Sequence, residues 1–316
     1  MAARLAALTG VTGFLGGQVG LALAAQGWRL RLLVRRDLAD PRLRNLQPEI
    51  VRGDLADVEG LRRLCRGAQA IVHVAGVVKA RRASHFRDVN TEGAGRLAAV
   101  ARELAPDAAF VLVSSLAARA PQLSAYARSK RDGEHAVTEA LGRAAWIVRP
   151  PAIYGPGDRA TLGLFQAAAA SPVLPVLRRE LNIPLIHVYD AASAIATLAG
   201  IDGGGCVALC DGRLEGHRLG EIMTQAAAAV GRRVRLAIVP TLAVRALGVA
   251  GDLGGLLGAT PMVTSGKIRE LLHGGWGLQP GELAAGLPPP RFELAAGFRD
   301  TVAGYRAMEW LAGARR

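Results

Sequence analysis

The chain has 316 residues, of which 51% are hydrophobic and 21% are charged. It can therefore bury a large core and does not have the composition of a disordered protein. Its length suits one large α/β unit or two cooperating domains. The net charge is +13, but the 39 basic residues include only three lysines and are spread along the chain. This distribution argues against a nucleic-acid partner.

The cysteines and the termini exclude further classes. The three cysteines form no CxxC pair and have no histidine at metal-ligand spacing, so we predict no metal site and no disulfide framework. The N-terminus runs directly into a strand-like segment, which favours a cytoplasmic protein. The apolar stretch Thr241–Thr260 is interrupted by Arg245 and Asp252. It predicts a helix pair with an apolar face for a substrate or partner, and no transmembrane segment.

Short apolar runs alternate with helix-length intervals over the first 150 residues, which predicts parallel strands joined by right-handed crossovers. The predicted strands are Leu5–Thr9, Arg29–Val34, Ile50–Arg52, Ala70–Val74, Phe110–Ser114 and Ala145–Arg149, with Cys206–Cys210 as a last strand. The predicted fold class is α/β, a Rossmann-type doubly wound parallel sheet with a smaller, mainly helical C-terminal substrate lobe. We assign 1–154, with 183–210 returning to the sheet, to the first domain, and 155–182 with 211–316 to the lobe.

A glycine-rich turn follows the first predicted strand and opens into a predicted helix over Gly17–Gln26. Glycines at this point let the backbone turn tightly and approach a pyrophosphate that faces the helix N-terminus. Because the turn lies between a strand and a helix, it predicts a dinucleotide site rather than an ordinary loop. The candidate cofactor contacts in the turn are Gly10, Thr12, Gly13, Phe14, Leu15 and Gly16.

The residues after the second and third strands indicate which dinucleotide binds. Arg35 and Arg36 stand where an NAD site carries an acid, and arginine suits the 2′-phosphate of NADP. NADP is therefore the preferred cofactor, while Asp37 keeps NAD possible. Asp54, which Leu55 follows, can accept a hydrogen bond from the adenine amino group, and it can also cap the next helix.

Tyr126 and Lys130 are four residues apart in a helical run, so both side chains project from one helix face. The lysine ammonium and a positively charged nicotinamide both favour the phenolate, which makes this pair a candidate general acid–base unit. Ser114 and Ser115 end a predicted strand, where a serine hydroxyl can polarise a substrate carbonyl. These four residues are the candidate catalytic groups.

Six motifs occur in order along residues 3–210. They are the turn Thr9–Gly16, His73–Gly76, Asn90 within Asp88–Thr91, Ser114–Ser115, Tyr126 with Lys130, and Arg149–Asp158. Together they resemble the extended short-chain dehydrogenase/reductases. The chain is similar to their NAD(P)-dependent epimerase/dehydratase group and to its 3β-hydroxysteroid dehydrogenase and dihydroflavonol reductase relatives. The resemblance weakens in the C-terminal lobe.

The resemblance implies a role for individual residues. It makes Tyr126 the acid/base, has Lys130 contact the nicotinamide ribose, and has Ser115, or Ser114, orient the carbonyl. The cofactor neighbours that it implies are Asn90, the backbone around Ala75 and Gly76, and the segment Pro151–Ile153, with Pro150 and Ile153 as contacts. Tyr126 follows Ser115 by only eleven positions. Because the segment between these two residues is shorter than is typical of the family, the resemblance does not identify the substrate.

The leading hypothesis is an NAD(P)-dependent oxidoreductase that interconverts a secondary alcohol and a ketone. The apolar segments Leu162–Leu177 and Pro240–Met262 favour an apolar carbonyl compound or its alcohol as the small-molecule substrate. The same segments also suit core packing or a homodimer contact, and Arg178 with Arg179 suits a diphosphate. The alternatives are a nucleotide-sugar epimerase or dehydratase with retained NAD, and a redox-inert NADP-binding scaffold. The intact Ser, Tyr and Lys argue against the scaffold.

Overall fold

The computed structural model describes residues 4–177, 181–256 and 264–312. The chain divides into two compact units. The first comprises Met1–Pro150, Ala191–Leu209 and Glu282–Pro288, and the second comprises Pro151–Asp190, Cys210–Gly281 and Pro289–Arg316. Arg178, Arg179 and the end of the predicted segment Pro240–Met262 lie outside the described residues.

The described strands and helices follow one another along the chain. The strands are β1 (Leu5–Thr9), β2 (Arg29–Val34), β3 (Glu49–Arg52), β4 (Ala70–His73), β5 (Ala109–Val113), β6 (Ala145–Arg149), β7 (Ala152–Tyr154), β8 (Val173–Val176), β9 (Asn182–Ile183), β10 (Leu185–His187), β11 (Gly205–Ala208), β12 (His217–Arg218) and β13 (Arg235–Ile238). The helices are α1 (Phe14–Ala25), α2 (Pro41–Asn45), α3 (Val58–Cys65), α4 (Ala83–Phe86), α5 (Gly93–Leu104), α6 (Ala125–Leu141), α7 (Leu162–Ala170), α8 (Val188–Leu198), α9 (Leu219–Ala229), α10 (Thr241–Leu256), α11 (Ser265–Leu272) and α12 (Leu294–Ala307). Short 3-10 turns lie at Leu116–Arg119, Gly142–Ala144 and Pro280–Glu282, and a π-helical turn lies at Arg87–Glu92.

Within the described part of the first unit, seven strands form one sheet in the order β11-β6-β5-β4-β1-β2-β3. Each neighbouring pair is parallel, so the Rossmann-type prediction is confirmed. The order reverses between β1 and β4, and ligands of open α/β sheets bind at such a reversal, outside the carboxyl ends of the strands. The strand exits at Gly10, Val74 and Ser114 therefore lie along one edge.

The core of the first unit joins the sheet to the helices that carry the site. Ile71 and Phe110 of the sheet belong to one buried cluster with Leu64 of α3, Leu97 of α5 and Val137 of α6. Burial of each such side chain stabilises the fold by about 1.5–3 kcal/mol. Helices α5 and α6 are thus held against the strands whose exits they border.

The second unit has its own aromatic core. Tyr154, Phe165, Phe298 and Tyr305 pack edge to face, with ring centroids 5.0–5.6 Å apart. Helices α7, α9 and α12 pack around this core. The described part of the second unit also contains three short two-stranded pairs, β7 with β10, β9 with β12, and β8 with β13. Phe165 and Ala168 of α7 are fully buried, so this part of Leu162–Leu177 serves core packing.

Several predicted boundaries differ from the observed ones, and those of two elements differ by more than one residue. Helix α1 begins at Phe14 rather than Gly17, because Gly13 is already its N-cap, with extended backbone. The last predicted strand, Cys206–Cys210, is β11 at Gly205–Ala208, which pairs with β6. Among the described residues, no helix has the length and apolarity that a membrane span needs.

Candidate active site at the strand exits

The glycine turn closes tightly on the end of β4. Gly10 has a φ of +78°, and a Cβ added there would lie 2.4 Å from the backbone N of Ala75. A Cβ at Gly16 would lie 2.0 Å from the carbonyl oxygen of Gly10. No side chain of the described residues caps the N-terminus of α1, and its first turn carries no acid. The glycines of the turn, Gly10, Gly13 and Gly16, thus form a cradle without side chains of their own at a helix N-terminus, which fits a pyrophosphate.

A buried pair fixes the two strands that border this cradle. Thr9 Oγ1 and His73 Nδ1 are 2.7 Å apart, and the backbone N–H of Ala75 donates to Thr9 Oγ1 at 3.2 Å. Burial, aided by the charge of Lys130, lowers the pKa of His73 to about 3. His73 is therefore neutral at physiological pH, and it holds the Thr9 hydroxyl that accepts from the backbone of Ala75.

Arg35 lines a shallow depression of about 330 Å³ with Gly53, Asp54 and Asp57. Arg35 and Arg36 are both exposed, and neither forms an ion pair within the residues that the structure describes. The carboxylate of Asp37, the acid that kept NAD possible, is paired with Arg52. Arg35 and Arg36 are thus the residues at the end of β2 whose charge has no ion-pair partner among the described residues.

The acids beyond β3 are engaged with the backbone. Asp54 accepts a hydrogen bond from the N–H of Ala56 at 2.8 Å, and Asp57 accepts one from Gly60 at 2.9 Å. The N-cap of α3 is Asp57, so the capping role predicted for Asp54 is wrong. Leu55 packs on α5, where a Cβ at Gly93 would lie 2.7 Å from its Cδ1.

Asn90 lies buried in the π-helical turn before α5. Its Oδ1 accepts from the N–H of Val77 at 2.8 Å, and its Nδ2 donates to the carbonyl of Val77 at 2.9 Å and to Ser129 Oγ at 2.9 Å. The side chain therefore anchors the segment after Gly76 to α6. Its polar atoms are all engaged within the protein.

Lys130 is buried beside the exit of β4. Its Nζ donates to the carbonyl oxygen of Val113 at 2.9 Å, and a Cβ at Gly76 would lie 3.0 Å from Nζ. Burial lowers the pKa of Lys130 to about 8, opposed by the charge of Glu134. Tyr126, one turn earlier on the same helix, is half-buried and packs edge-on against Phe86, with centroids 6.1 Å apart.

Glu134 is a further candidate residue that the sequence motifs do not identify. Its buried carboxylate accepts from Ser114 Oγ at 2.6 Å and from Arg149 Nε and Nη2 at 2.7 and 2.5 Å. The hydrogen bond to Glu134, opposed by burial, raises the pKa of Arg149. The sequence signal that could have identified Glu134 is its spacing, since Tyr126, Lys130 and Glu134 follow one another at steps of four on α6.

The two candidate serines differ in environment. Ser114 is buried and its hydroxyl is committed to Glu134. Ser115 is half-buried, and its Oγ accepts from the N–H of Ala117 at 3.2 Å. Within the described residues, the Ser115 hydroxyl donates to no acceptor. The Ser115 hydroxyl can therefore donate a hydrogen bond to a reacting oxygen without giving up another hydrogen bond.

The last two candidates lie on either side of the boundary between the units. Pro150 ends the first unit, and its carbonyl accepts from the N–H of Leu116 at 2.8 Å. Ile153 lies in β7 of the second unit, opposite Ile186 of β10.

One known protein is similar to this chain in sequence, and two solved structures are similar to it in fold. The ceramide reductase of Caulobacter vibrioides is 49% identical over 306 residues, which cover 96% of this chain and 95% of that protein. The crystal structure of gox2253 has a TM-score of 0.75 at 23% identity, covering 99% of this chain and 100% of that one. UDP-glucose 4-epimerase of Thermus thermophilus, in complex with NAD, has a TM-score of 0.67 at 20% identity, covering 96% and 99%.

The sequence pattern of one family matches most of the first unit. The pattern described as the NAD dependent epimerase/dehydratase family matches residues 6–202, a range that includes the glycine cradle, Tyr126 and Lys130. With the near-full-length similarity to a reductase, this match establishes that the chain belongs to the NAD dependent epimerase/dehydratase family.

Proposed function

We propose that this protein is an NADPH-dependent reductase that converts a long-chain ketone to its secondary alcohol. The observation that carries the proposal is the arrangement on α6, where Tyr126 stands one turn from a buried lysine whose Nζ lies beside Gly76. A bound nicotinamide supplies a hydride to the carbonyl carbon. The protein must then supply a proton to the carbonyl oxygen and stabilise the charge that develops there.

Tyr126 donates this proton. A phenol ordinarily titrates near 10 and is a weak acid at neutral pH. A neighbouring ammonium stabilises the phenolate that remains after donation. Because the pKa of Lys130 is about 8, the side chain is mostly charged at pH 7. Proton uptake from solvent returns Tyr126 to the phenol, so each cycle consumes one hydride and one proton per ketone reduced.

Ser115 orients the carbonyl oxygen. Its half-buried hydroxyl has a free donor, whereas the hydroxyl of Ser114 is engaged with Glu134. The contribution of Ser114 is therefore structural, since it links the exit of β5 to α6. This assignment chooses between the two serines that the sequence leaves equivalent.

NADPH is the proposed cofactor. Arg35 borders the depression that also contains Asp54, so a 2′-phosphate and an adenine amino group have complementary partners in one place. Asp37, the first acid after β2 and the residue that favours NAD, is paired with Arg52 at the surface, whereas Arg35 has no ion-pair partner among the described residues.

The substrate class comes from the 49% identical relative, which is named a ceramide reductase. A ceramide carries a secondary alcohol beside an amide and between long alkyl chains, and the corresponding ketone is an apolar carbonyl compound. We propose that this chain reduces such a ketone.

The reaction is tested by mixing the purified protein with NADPH and a panel of ketones. The panel holds the ketone of a ceramide, shorter apolar ketones and, in separate calorimetric titrations, UDP- and GDP-sugars. We expect NADPH consumption with the long-chain amide ketone and no heat of sugar binding. Micromolar binding of a nucleotide sugar without turnover of any ketone would instead indicate an epimerase. So would NAD that stays bound during purification and is released only when the protein is denatured.

Tyr126→Phe is expected to lower kcat by roughly 10²–10⁴-fold, because it removes the proton donor. NADPH affinity is expected to stay nearly unchanged in fluorescence titration. Tyr154→Phe is the matched control, since the Tyr154 hydroxyl is buried without a hydrogen-bond partner in the described residues. Equal turnover by Tyr126→Phe and the wild type would exclude the mechanism.

Ser115→Ala and Ser114→Ala separate chemistry from structure. We expect Ser115→Ala to lower kcat by roughly 10²–10³-fold, as loss of an oxyanion donor does, with little change in the thermal midpoint. Ser114→Ala is expected to lower the free energy of unfolding by about 1–3 kcal/mol, because Glu134 loses a buried donor. The reverse pattern, with turnover lost only in a fully stable Ser114→Ala, would reassign the orienting serine.

Arg35→Asp is expected to weaken NADPH binding by a few kcal/mol, because a charge-assisted contact becomes a repulsion. NADH binding, titrated in parallel, should change far less. Arg66→Asp makes the same charge change at an exposed position outside the depression and serves as the control. Equal weakening of both cofactors would remove the case for NADP.

A further inference from the structure

Helix α10 presents an apolar face to solvent. Leu242, Leu247 and Val249 are 78%, 57% and 54% exposed. Between Leu242 and Ala250 the remaining exposed positions are Ala243, Ala246, Ala250 and a single charged residue, Arg245. A helix on a protein surface ordinarily carries its polar residues on the exposed side. Here that side is apolar, which is typical of a surface with a binding partner.

The opposite side of α10 is already occupied. Val244 and Gly248 are buried, and a Cβ at Gly248 would lie 3.1 Å from Cα of Ser265 and from Cγ1 of Ile268 on α11. This contact uses the inner face of α10. Among the described residues, none covers the outer face, which we define as Leu242, Ala246, Leu247, Val249 and Ala250.

The charged residues of α10 and of the segment before it are mostly positive: four exposed arginines stand against one exposed acid, Asp252 of α10, which accepts a hydrogen bond from the N–H of Ser265 at 3.1 Å. Arg232, Arg233 and Arg235 precede α10, Arg245 lies on it, and no acid occurs from residue 231 to residue 251. All four arginines are exposed, and none of them forms an ion pair within the described part of the chain. A complementary partner is therefore apolar at its centre and negative at its edge.

We propose that the outer face of α10 binds to the surface of an anionic lipid bilayer. Leucine and valine side chains enter the headgroup and acyl boundary, while long arginine side chains reach anionic headgroups. The helix lies in the interface plane, consistent with the absence of a span-length apolar helix among the described residues. The proposal does not depend on the reductase activity.

A second copy of the chain fits this surface less well. In a two-fold symmetric dimer the same face would meet itself. Each copy would bring four exposed arginines and the single acid Asp252 to the interface, and the net like charge across such an interface is costly. The charge pattern thus favours the lipid surface over a dimer.

Flotation with vesicles tests the proposal. The full-length protein is mixed with vesicles of phosphatidylcholine alone or with added phosphatidylglycerol, and the fraction that floats is measured at low and high salt. We expect binding to the anionic vesicles only, weakened by salt. The variant Leu242→Gln/Leu247→Gln and the variant Arg233→Gln/Arg235→Gln/Arg245→Gln should each bind roughly tenfold or more weakly.

The matched control is Leu46→Gln/Val58→Gln, which replaces two exposed apolar residues elsewhere and should bind like the wild type. Thermal midpoints and turnover of a water-soluble ketone verify that each variant is folded. Equal flotation of all variants, or no flotation of the wild type, overturns the proposal. A concentration-dependent dimer that Leu242→Gln/Leu247→Gln abolishes would assign the face to a second copy, and retention on polyglutamate without vesicle binding would assign it to an acidic protein.

Discussion

The buried carboxylate of Glu134 is the interaction on which the candidate site depends. It accepts from Ser114 at the exit of β5 and from Arg149 at the end of β6, so one side chain ties α6 to two neighbouring strands. Breaking a buried ion pair by removing one partner costs about 3–5 kcal/mol, because the other charge is left uncompensated. Tyr126 and Lys130 lie on this same helix and take their positions from it.

A second constraint is steric and acts where β1 and β4 end, at the reversal of the strand order. Gly10, Gly16 and Gly76 approach backbone or the Lys130 ammonium so closely that a methyl group would collide or press on its neighbour. Gly10 and Gly16 thus let β1, the chain after β4 and α1 approach one another closely. In the proposed function, a phosphate-bearing cofactor approaches at this point. At Gly10 and Gly16 the close neighbours are backbone atoms, whereas at Gly76 the close neighbour is the Lys130 ammonium.

Much of the fold could be predicted from the sequence, because buried parallel strands are continuous apolar runs between helix-length intervals. The glycine turn, the arginines after β2 and the Tyr126–Lys130 spacing are local patterns and were equally visible. Glu134 was not, since an acid four residues after a lysine resembles an ordinary surface ion pair. Only the neighbouring positions of β5 and β6 bring Ser114 and Arg149 to it. The cap of α3 was misassigned because Asp54 and Asp57 both precede the helix, and only backbone geometry distinguishes them.

The burial of Lys130 also makes the stability of the fold depend on pH. An exposed lysine titrates near 10.5, whereas Lys130 titrates at about 8 in the folded chain. Between these values the unfolded chain binds more protons, so the stability of the fold rises with pH across that window. At neutral pH the charged side chain lowers the stability of the folded protein by about 3 kcal/mol relative to an exposed lysine. The buried ammonium thus lowers the stability of the fold, a cost that is consistent with the role proposed for Lys130 beside Tyr126.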